Sequence, residues 1–434
     1  MYLKKGRFSV SLNHKRNAVN TKAKEDFEMK KQLISAALAA TMVCGALVPV
    51  QAEEDYDLTL YTIDTTDTDF EDWLNTAQEA TGLKINVVAA PTDSDTRQQK
   101  ITTVLSTGDT TVDIIQINDE MATAFKNTGW LEGLNDTVMT EDILDNFATG
   151  YISDMLTSAD GQIVGVPSYC GYLSLWVNQE IMDEVGITSI DTLDEFKAYI
   201  AAASEKEGRY GYGGSWEKTY VFNEIAQFVN MFGGDYYDWT NENNKKALEF
   251  FKEMVDNGWT SLDQMADKYE QMNQKFIDGD YGCVFYWGTG NEYEEAGMKG
   301  EDKIHMYKVP TFEKGSIFTD SWSYVLNSAS ENKEAAYKFL QWAASEDGEA
   351  AGWECFDRYP ARSDVAETVV PEDNEVKQMY ATYAEELEVH GRPMLPQTME
   401  FISEMGTLFQ QYVQGEITVD DFCTRAQEAV EANQ

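Results

Sequence analysis

The sequence predicts an α/β protein built as two doubly wound lobes. Three observations carry that expectation. The chain has 434 residues, which suits two moderate cores better than one large one. Short strands and amphipathic helices alternate from Leu58 to Ile117. Two further short strands, at 163–166 and 173–177, stand so close together that the chain must cross there from one strand–helix block to another.

The first strand covers 58–63, where Asp57-Leu58-Thr59-Leu60-Tyr61 alternates in polarity. Phe70, Trp73, Leu74, Ala77 and Ala80 then recur at helical spacing, and Gly82 is placed to end that helix. A strand at 83–89 follows, then a helix marked by Ile101, Val104 and Leu105 and closed by Gly108, then a strand at 112–117. In a parallel sheet of this order ligands sit beyond the carboxyl ends of the strands, so residues 61–67 and 118–120 should face a ligand. At the crossing, Asp160-Gly161 makes a turn, Pro167 stops a strand, and the run 168–172 precedes a strand that opens a helix ending at Gly186. Beyond it, Thr192-Leu193-Asp194-Glu195 is a capping box. Residues 208–216 read as a Gly- and aromatic-rich flexible loop, and 276–287 as a turn feeding an apolar strand that ends at Trp287. Strands at 304–309 and 322–326 precede a mainly helical last third, with 418–421 capping its final helix. The expected division is 53–167 with 303–322 for the first lobe, and 168–302 with 323–434 for the second.

The first 52 residues stand apart. Met29-Lys30-Lys31 begins a basic region, 33–47 is apolar, and Val50-Gln51-Ala52 has the small-residue pattern of an export cleavage site. The expected mature chain starts near Glu53 and is secreted, at the cell surface or in the periplasm. A lipid anchor on Cys44 is poorly supported, because Thr41-Met42-Val43 lacks the small residue that normally precedes a lipidated cysteine. Residues 1–28 resemble no export signal, and Lys24-Glu25-Asp26 is encodable by a purine-rich ribosome-binding sequence upstream of Met29. Other codons at that place in the gene would remove this reading of a start at Met29.

The whole chain has 33 basic and 76 acidic residues, and the leader holds 9 and 3 of them, which leaves 24 against 73, a net −49. So acidic a protein is expected to avoid nucleic acid and anionic membranes. Cys170, Cys283, Cys355 and Cys423 are widely spaced and form no zinc or redox motif; two disulfides or four buried thiols both fit. Zincin, hydrolase-elbow and phosphate-loop motifs are absent, and no cofactor or metal is expected. Asp64, Asp67, Asp69, Glu71 and Asp72 lack the central Gly and closing Glu of a calcium loop and read as a solvated helix start. A carboxylate pair for glycoside hydrolysis is a spatial feature, and no pair stands out in the sequence.

Aromatic residues at predicted loop mouths do stand out: Tyr61, Tyr169, Tyr172, Trp216, Trp287, Trp322 and Tyr359. A flat ring covers the apolar C–H face of a pyranose, while groups such as Asp64, Asn118 and Arg362 can pair its hydroxyls. Each such ring fits a core position about as well as a ligand wall. Trp287 and Trp322, at strand ends beside Gly or polar residues, are the strongest candidates.

Ordered stretches carry a family resemblance: GQIVGVP at 161–167, LSLWVNQEIMDEVGI at 173–187, TLDEF at 192–196, FIDGDYGCVFYW at 276–287, NKEAAYKFLQWAAS at 332–345 and RYPARSDV at 358–365. The chain resembles the extracellular solute-binding proteins that include maltose-binding protein. It departs from them at Val177, where Tyr is usual, and at Leu193, where Trp is. The resemblance implies a two-lobed periplasmic-binding-protein-like (type II) fold with hinge closure, a family in which periplasmic binding proteins are a standard example of the motion. It also implies a sugar-stacking role for Trp287. The expected function is capture of a carbohydrate, an oligosaccharide, by a monomer that passes it to an ABC permease and performs no chemistry. A polyamine or peptide on the same fold, or a secreted glycan-degrading enzyme, are the rival readings. A cleft carboxylate cluster in place of stacked rings would favour the first rival, and product formation the second.

Overall fold

The computed structural model describes residues 56–147, 150–300 and 302–433; the expected export signal, the 1–28 extension and Cys44 lie outside the described residues. The strands are β1 Leu58–Thr62, β2 Ile85–Ala89, β3 Ile114–Asn118, β4 Gly165–Tyr172, β5 Ser174–Asn178, β6 Tyr210–Gly213, β7 Tyr281–Tyr286, β8 Ile304–Tyr307, β9 Ser316–Leu326 and β10 Glu388–His390.

The opening alternation folds as its periodicity dictates. β1 pairs in parallel with both β2 and β3. The intervening helices Phe70–Thr81 and Ser94–Thr107 each end on a glycine in the left-handed region, Gly82 and Gly108. The sheet is mixed, however, because β9 joins it antiparallel to both β3 and β4. The second sheet runs β6-β7-β5-β8, with β5 antiparallel to β7 and β8.

Two hydrophobic cores define the lobes. One gathers Leu58 through Cys170 with Tyr324 through Ala361; the other gathers Tyr172 through Phe318 with Val376 through Val430. The chain therefore crosses near 171, near 320 and between 361 and 376. The first crossing lies within a few residues of the expected one, and the later boundaries differ. β8 belongs to the second sheet, and residues 323–361 to the first lobe. The reason is β9, which continues to Leu326 against β3. It delivers the helices Lys333–Ala343 and Glu346–Phe356 onto Trp73, whose ring lies 6.2 Å from Phe339 and 5.6 Å from Phe356.

Two local expectations are corrected. β4 runs through Pro167 rather than stopping there: it pairs only with β9, so it is an edge strand, where a proline is tolerated. The stretch expected as a flexible loop contains β6, paired to β7, and its glycines are packing positions. A Cβ on Gly211 would lie 1.9 Å from the Ile200 carbonyl oxygen, and one on Gly213 would lie 2.1 Å from the Tyr281 ring. The capping boxes at Thr192 and Thr418 form as expected. Cys170, Cys283, Cys355 and Cys423 are all free thiols.

Glu349 is buried in the first turn of its helix, where its Oε2 accepts from the backbone N–H of Ala361 (2.7 Å) and of Arg362 (3.1 Å). Burial pushes its carboxyl up to about 8, against the pull of those bonds. The folded chain thus holds this proton more tightly than the unfolded one. That contribution to stability is full below the ordinary carboxylate range and is lost as pH rises through about 8. Glu349→Gln keeps an acceptor for both N–H groups. Urea unfolding should find the variant close to wild type at pH 4 and more stable at pH 8.5, by up to roughly a few kcal/mol; parallel pH profiles would refute this.

Candidate binding cleft

The first-lobe wall is set by strand register. Trp322 on β9 sits opposite Asn118 on β3 and opposite Tyr169 on β4, so all three side chains share one face. A bulge between Pro167 and Tyr169 sets that alignment, and Ser168 Oγ donates to the Trp322 carbonyl at 3.1 Å. The Tyr169 and Trp322 rings lie nearly parallel, 6.5 Å apart and 15° inclined. Each ring also carries a guanidinium. Arg97 lies 5.2 Å from the Trp322 ring centre, and Arg358 lies 4.9 Å from that of Tyr169.

The second-lobe wall forms where β7 ends. Trp287 Nε1 donates to Tyr269 Oη at 2.8 Å, and Asn223 Nδ2 donates to the same oxygen at 2.8 Å. That phenol accepts twice, which leaves its own O–H to donate. Lys268, beside Tyr269, pairs with Asp93 of the first lobe and lies 5.9 Å from the Tyr220 ring; Lys218 reaches Asp95 at 3.6 Å.

Between the walls is Arg392. Its guanidinium pairs with Asp119, approaches Asp320 at 3.3 Å and Glu120 at 3.5 Å, and lies 5.8 Å from the Trp287 ring. Tyr151 Oη donates to Asp119 at 2.6 Å and accepts from the Arg392 backbone N–H at 3.0 Å. Burial pushes the Asp320 carboxyl up to about 7 and also raises that of Asp119, with Arg392 pulling both down.

The expected site residues divide. Trp322, Tyr169 and Trp287 are half-buried; the first two rings lie nearly parallel on the first lobe, and the Trp287 ring lies against Arg392 and Phe318. Tyr61 is 7% exposed, and its hydroxyl makes no hydrogen bond among the described residues. Asn118 lies on the wall but caps the helix Asp119–Phe125, accepting from Met121 N–H at 3.3 Å. Asp64 is fully buried and held by Arg358 (2.5 Å), Gln116 and Tyr324 (both 3.0 Å). Three others are taken up by packing. Trp216 is fully buried in the second core, edge-on to Phe409 and Phe251, with Nε1 donating to Glu224. Tyr172 lies buried against Tyr380 and Tyr383. Arg362 is buried and pins its loop through the Ala344 carbonyl and Asp364. Tyr359 is half-buried against Tyr380.

Sequence reasoning passed over Arg97, Tyr269, Asp320 and Arg392. One signal existed for Arg97: it takes a place in the buried stripe Arg97, Ile101, Leu105 of its helix, where a cation is out of pattern. Among the described residues no cluster of His, Cys, Asp and Glu could hold a metal ion, and no helix is long and apolar enough to cross a membrane.

A family model described as bacterial extracellular solute-binding protein matches residues 72–378. The chain belongs to that family. Among its solute-binding relatives, the arabinooligosaccharide-binding protein of Halalkalibacterium halodurans is 24% identical over 330 residues, covering 69% of this chain and 71% of the relative. The mannitol-binding protein of Pseudomonas aeruginosa is 23% identical, covering 72% and 74%. Among solved structures, a solute-binding protein of Thermotoga lettingae bound to α-D-tagatose superposes with a TM-score of 0.77 at 20% identity, over 86% of this chain and 98% of that one. Maltose-bound MalE3 of T. maritima gives 0.74 at 17%, over 86% and 99%. The two-lobed fold is that of these binding proteins.

Removing Arg392 would leave Asp119, Glu120 and Asp320 buried around a missing cation. Arg392→Gln should lower unfolding stability by roughly 3–5 kcal/mol at pH 7.5. The deficit should shrink toward pH 5 as the stranded carboxylates protonate. Calorimetry over that range checks both, and an unchanged melting temperature would show that the network contributes little.

Proposed function

We propose that the protein captures a carbohydrate, an oligosaccharide, between its lobes and passes it to the membrane permease of an ABC importer without altering it. The observation that carries this reading is the pairing of aromatic walls. Trp322 and Tyr169 stand on one lobe and Trp287 and Tyr269 on the other, half-buried, with the phenol of Tyr269 and the hydroxyl of Tyr61 having hydrogen-bond capacity to spare. Rings of this kind cover sugar faces, and the polar atoms beside them pair hydroxyls. Relatives named for arabinooligosaccharide and mannitol binding support the same ligand class.

The carboxylates near the rings favour neither rival. Asp64 and Asp67 are paired to Arg358, and Asp119, Glu120 and Asp320 surround Arg392. A polyamine would have to compete with fixed guanidinium groups for them, and none of these five stands without a countercharge as a ready acid or base. The contacts Asp93–Lys268 and Asp95–Lys218 bridge the lobes at the rim, as a closed cleft requires.

Titration calorimetry of the chain from Glu53 onward against an oligosaccharide panel tests the reading. Binding is expected for one sugar class, with the sugar recovered intact. Trp322→Ala and Trp287→Ala should each weaken it roughly ten- to a hundredfold with little change in the ligand-free melting temperature. Polyamine binding alone would replace the ligand, and cleavage of the sugar would refute the absence of chemistry.

A further inference from the structure

Arg97 differs from the other buried arginines. Arg209, Arg362 and Arg392 each have a carboxylate within salt-bridge distance, as does the half-buried Arg358. Arg97 is 5% exposed and has none among the described residues, in a chain with 76 acidic residues. Its Nη1 is tied to the carbonyls of Pro91 (3.0 Å) and Thr92 (2.9 Å), which fixes the plane of the guanidinium. The opposite edge is unpaired: Nε is buried without a hydrogen bond, and Nη2 makes none among the described residues. Arg392 Nε also lacks one, but faces Glu120 at 3.5 Å. Glu120 is the first charge that acts on Arg97 too; its carboxylate is engaged by Gln98 and lies against Arg392. Arg97 feels Tyr61 and Tyr169 of its own lobe and Tyr220 of the other, and it covers the Trp322 face. The Tyr61 hydroxyl, also buried and unpartnered, lies in its field.

We propose that the unpaired Nε–Nη2 edge of Arg97, with the Tyr61 hydroxyl, receives a carboxylate of the captured ligand when the lobes close on it, so that the sugar is an acidic one carrying a uronic acid residue. This rests on the cleft being a carbohydrate site. A neutral hydroxyl would satisfy the hydrogen bonds but leave the buried guanidinium with no carboxylate in contact, only the more distant and already engaged Glu120, which is the larger penalty. The side-on edge of a guanidinium matches a planar carboxylate with two parallel bonds, and a preset plane removes part of the ordering cost.

The test is calorimetry with galacturonate-, glucuronate- and mannuronate-containing oligosaccharides, each beside its carboxyl-reduced counterpart, with sulfated oligosaccharides as a further arm. One acidic oligosaccharide should bind at least about tenfold more tightly than its reduced form. Arg97→Met should abolish that preference, so that an acidic oligosaccharide and its reduced counterpart bind alike. Arg97→Lys should keep only part of the preference, having the charge without the fork. Equal or tighter binding of the reduced sugars, a preference surviving in Arg97→Met, or selection of sulfated over carboxylated sugars would each overturn the proposal. Binding of neutral sugars alone would overturn it and leave the carbohydrate reading standing; binding of no sugar would remove both.

Discussion

A guanidinium surrounded by three carboxylates and closed off from water can exist only where several chain segments hold it, and Arg392 stands at such a place. Asp119 begins the helix after β3, Asp320 lies in the middle of β9 where that strand passes between cores, and Arg392 follows β10 on the way to the helix Thr398–Val413. Taking such ions out of water costs several kcal/mol each, and their mutual attraction offsets that only if the geometry is kept. The network therefore constrains the relative placement of these three segments. It also holds a cation near the Trp287 ring, which couples the position of one aromatic wall to the polar floor. With Asp320 pushed up to about 7, the hub sits close to losing one of its three negative charges at neutral pH.

Above that floor the cleft is shaped by backbone register rather than by loops. The bulge at Ser168 decides that Tyr169, and not its neighbour, stands opposite Trp322. On the other lobe Trp287 is held by the phenol of Tyr269, itself fixed by Asn223. Rings on strand ends and locked by second partners present a preformed surface. Such a surface binds with little loss of side-chain freedom, which suits recognition.

The sequence made the opening strands and helices, the first crossing and the capping boxes legible, because hydrophobic period and cap chemistry act locally. It concealed the length of β9. Residues 316–321 set Ile317 and Phe318 among four polar residues, yet Ser316, Thr319, Asp320 and Ser321 are buried, with partners that only the fold brings near. The aromatic candidates illustrate the same limit. Residue type and strand end are visible in sequence, but which neighbours cover a ring is not, and so Trp216 and Tyr172 lie in the core while Trp322 and Trp287 stay half-buried. Arg97 was passed over because a cation in a helix normally reads as surface; the break in the stripe before Ile101 and Leu105 is the trace that burial left.

An acidic ligand and a chain of net −49 after its leader are compatible because the two effects act over different ranges. Surface charge is screened within about 8–10 Å at ordinary ionic strength, so it sets how fast an anion approaches more than how tightly it is held. Arg97, recessed behind Trp322 and 5% exposed, acts on a group in contact with it, where salt penetrates little. Added salt should then relieve the long-range repulsion while leaving the contact largely intact. The rim pairs Asp93–Lys268 and Asp95–Lys218 are the opposite case. They are partly exposed, worth about 0–1 kcal/mol each, and too weak to hold the lobes together without a ligand. Closure then rests on the buried Arg392 network together with what lies between the rings and the unpaired edge of Arg97.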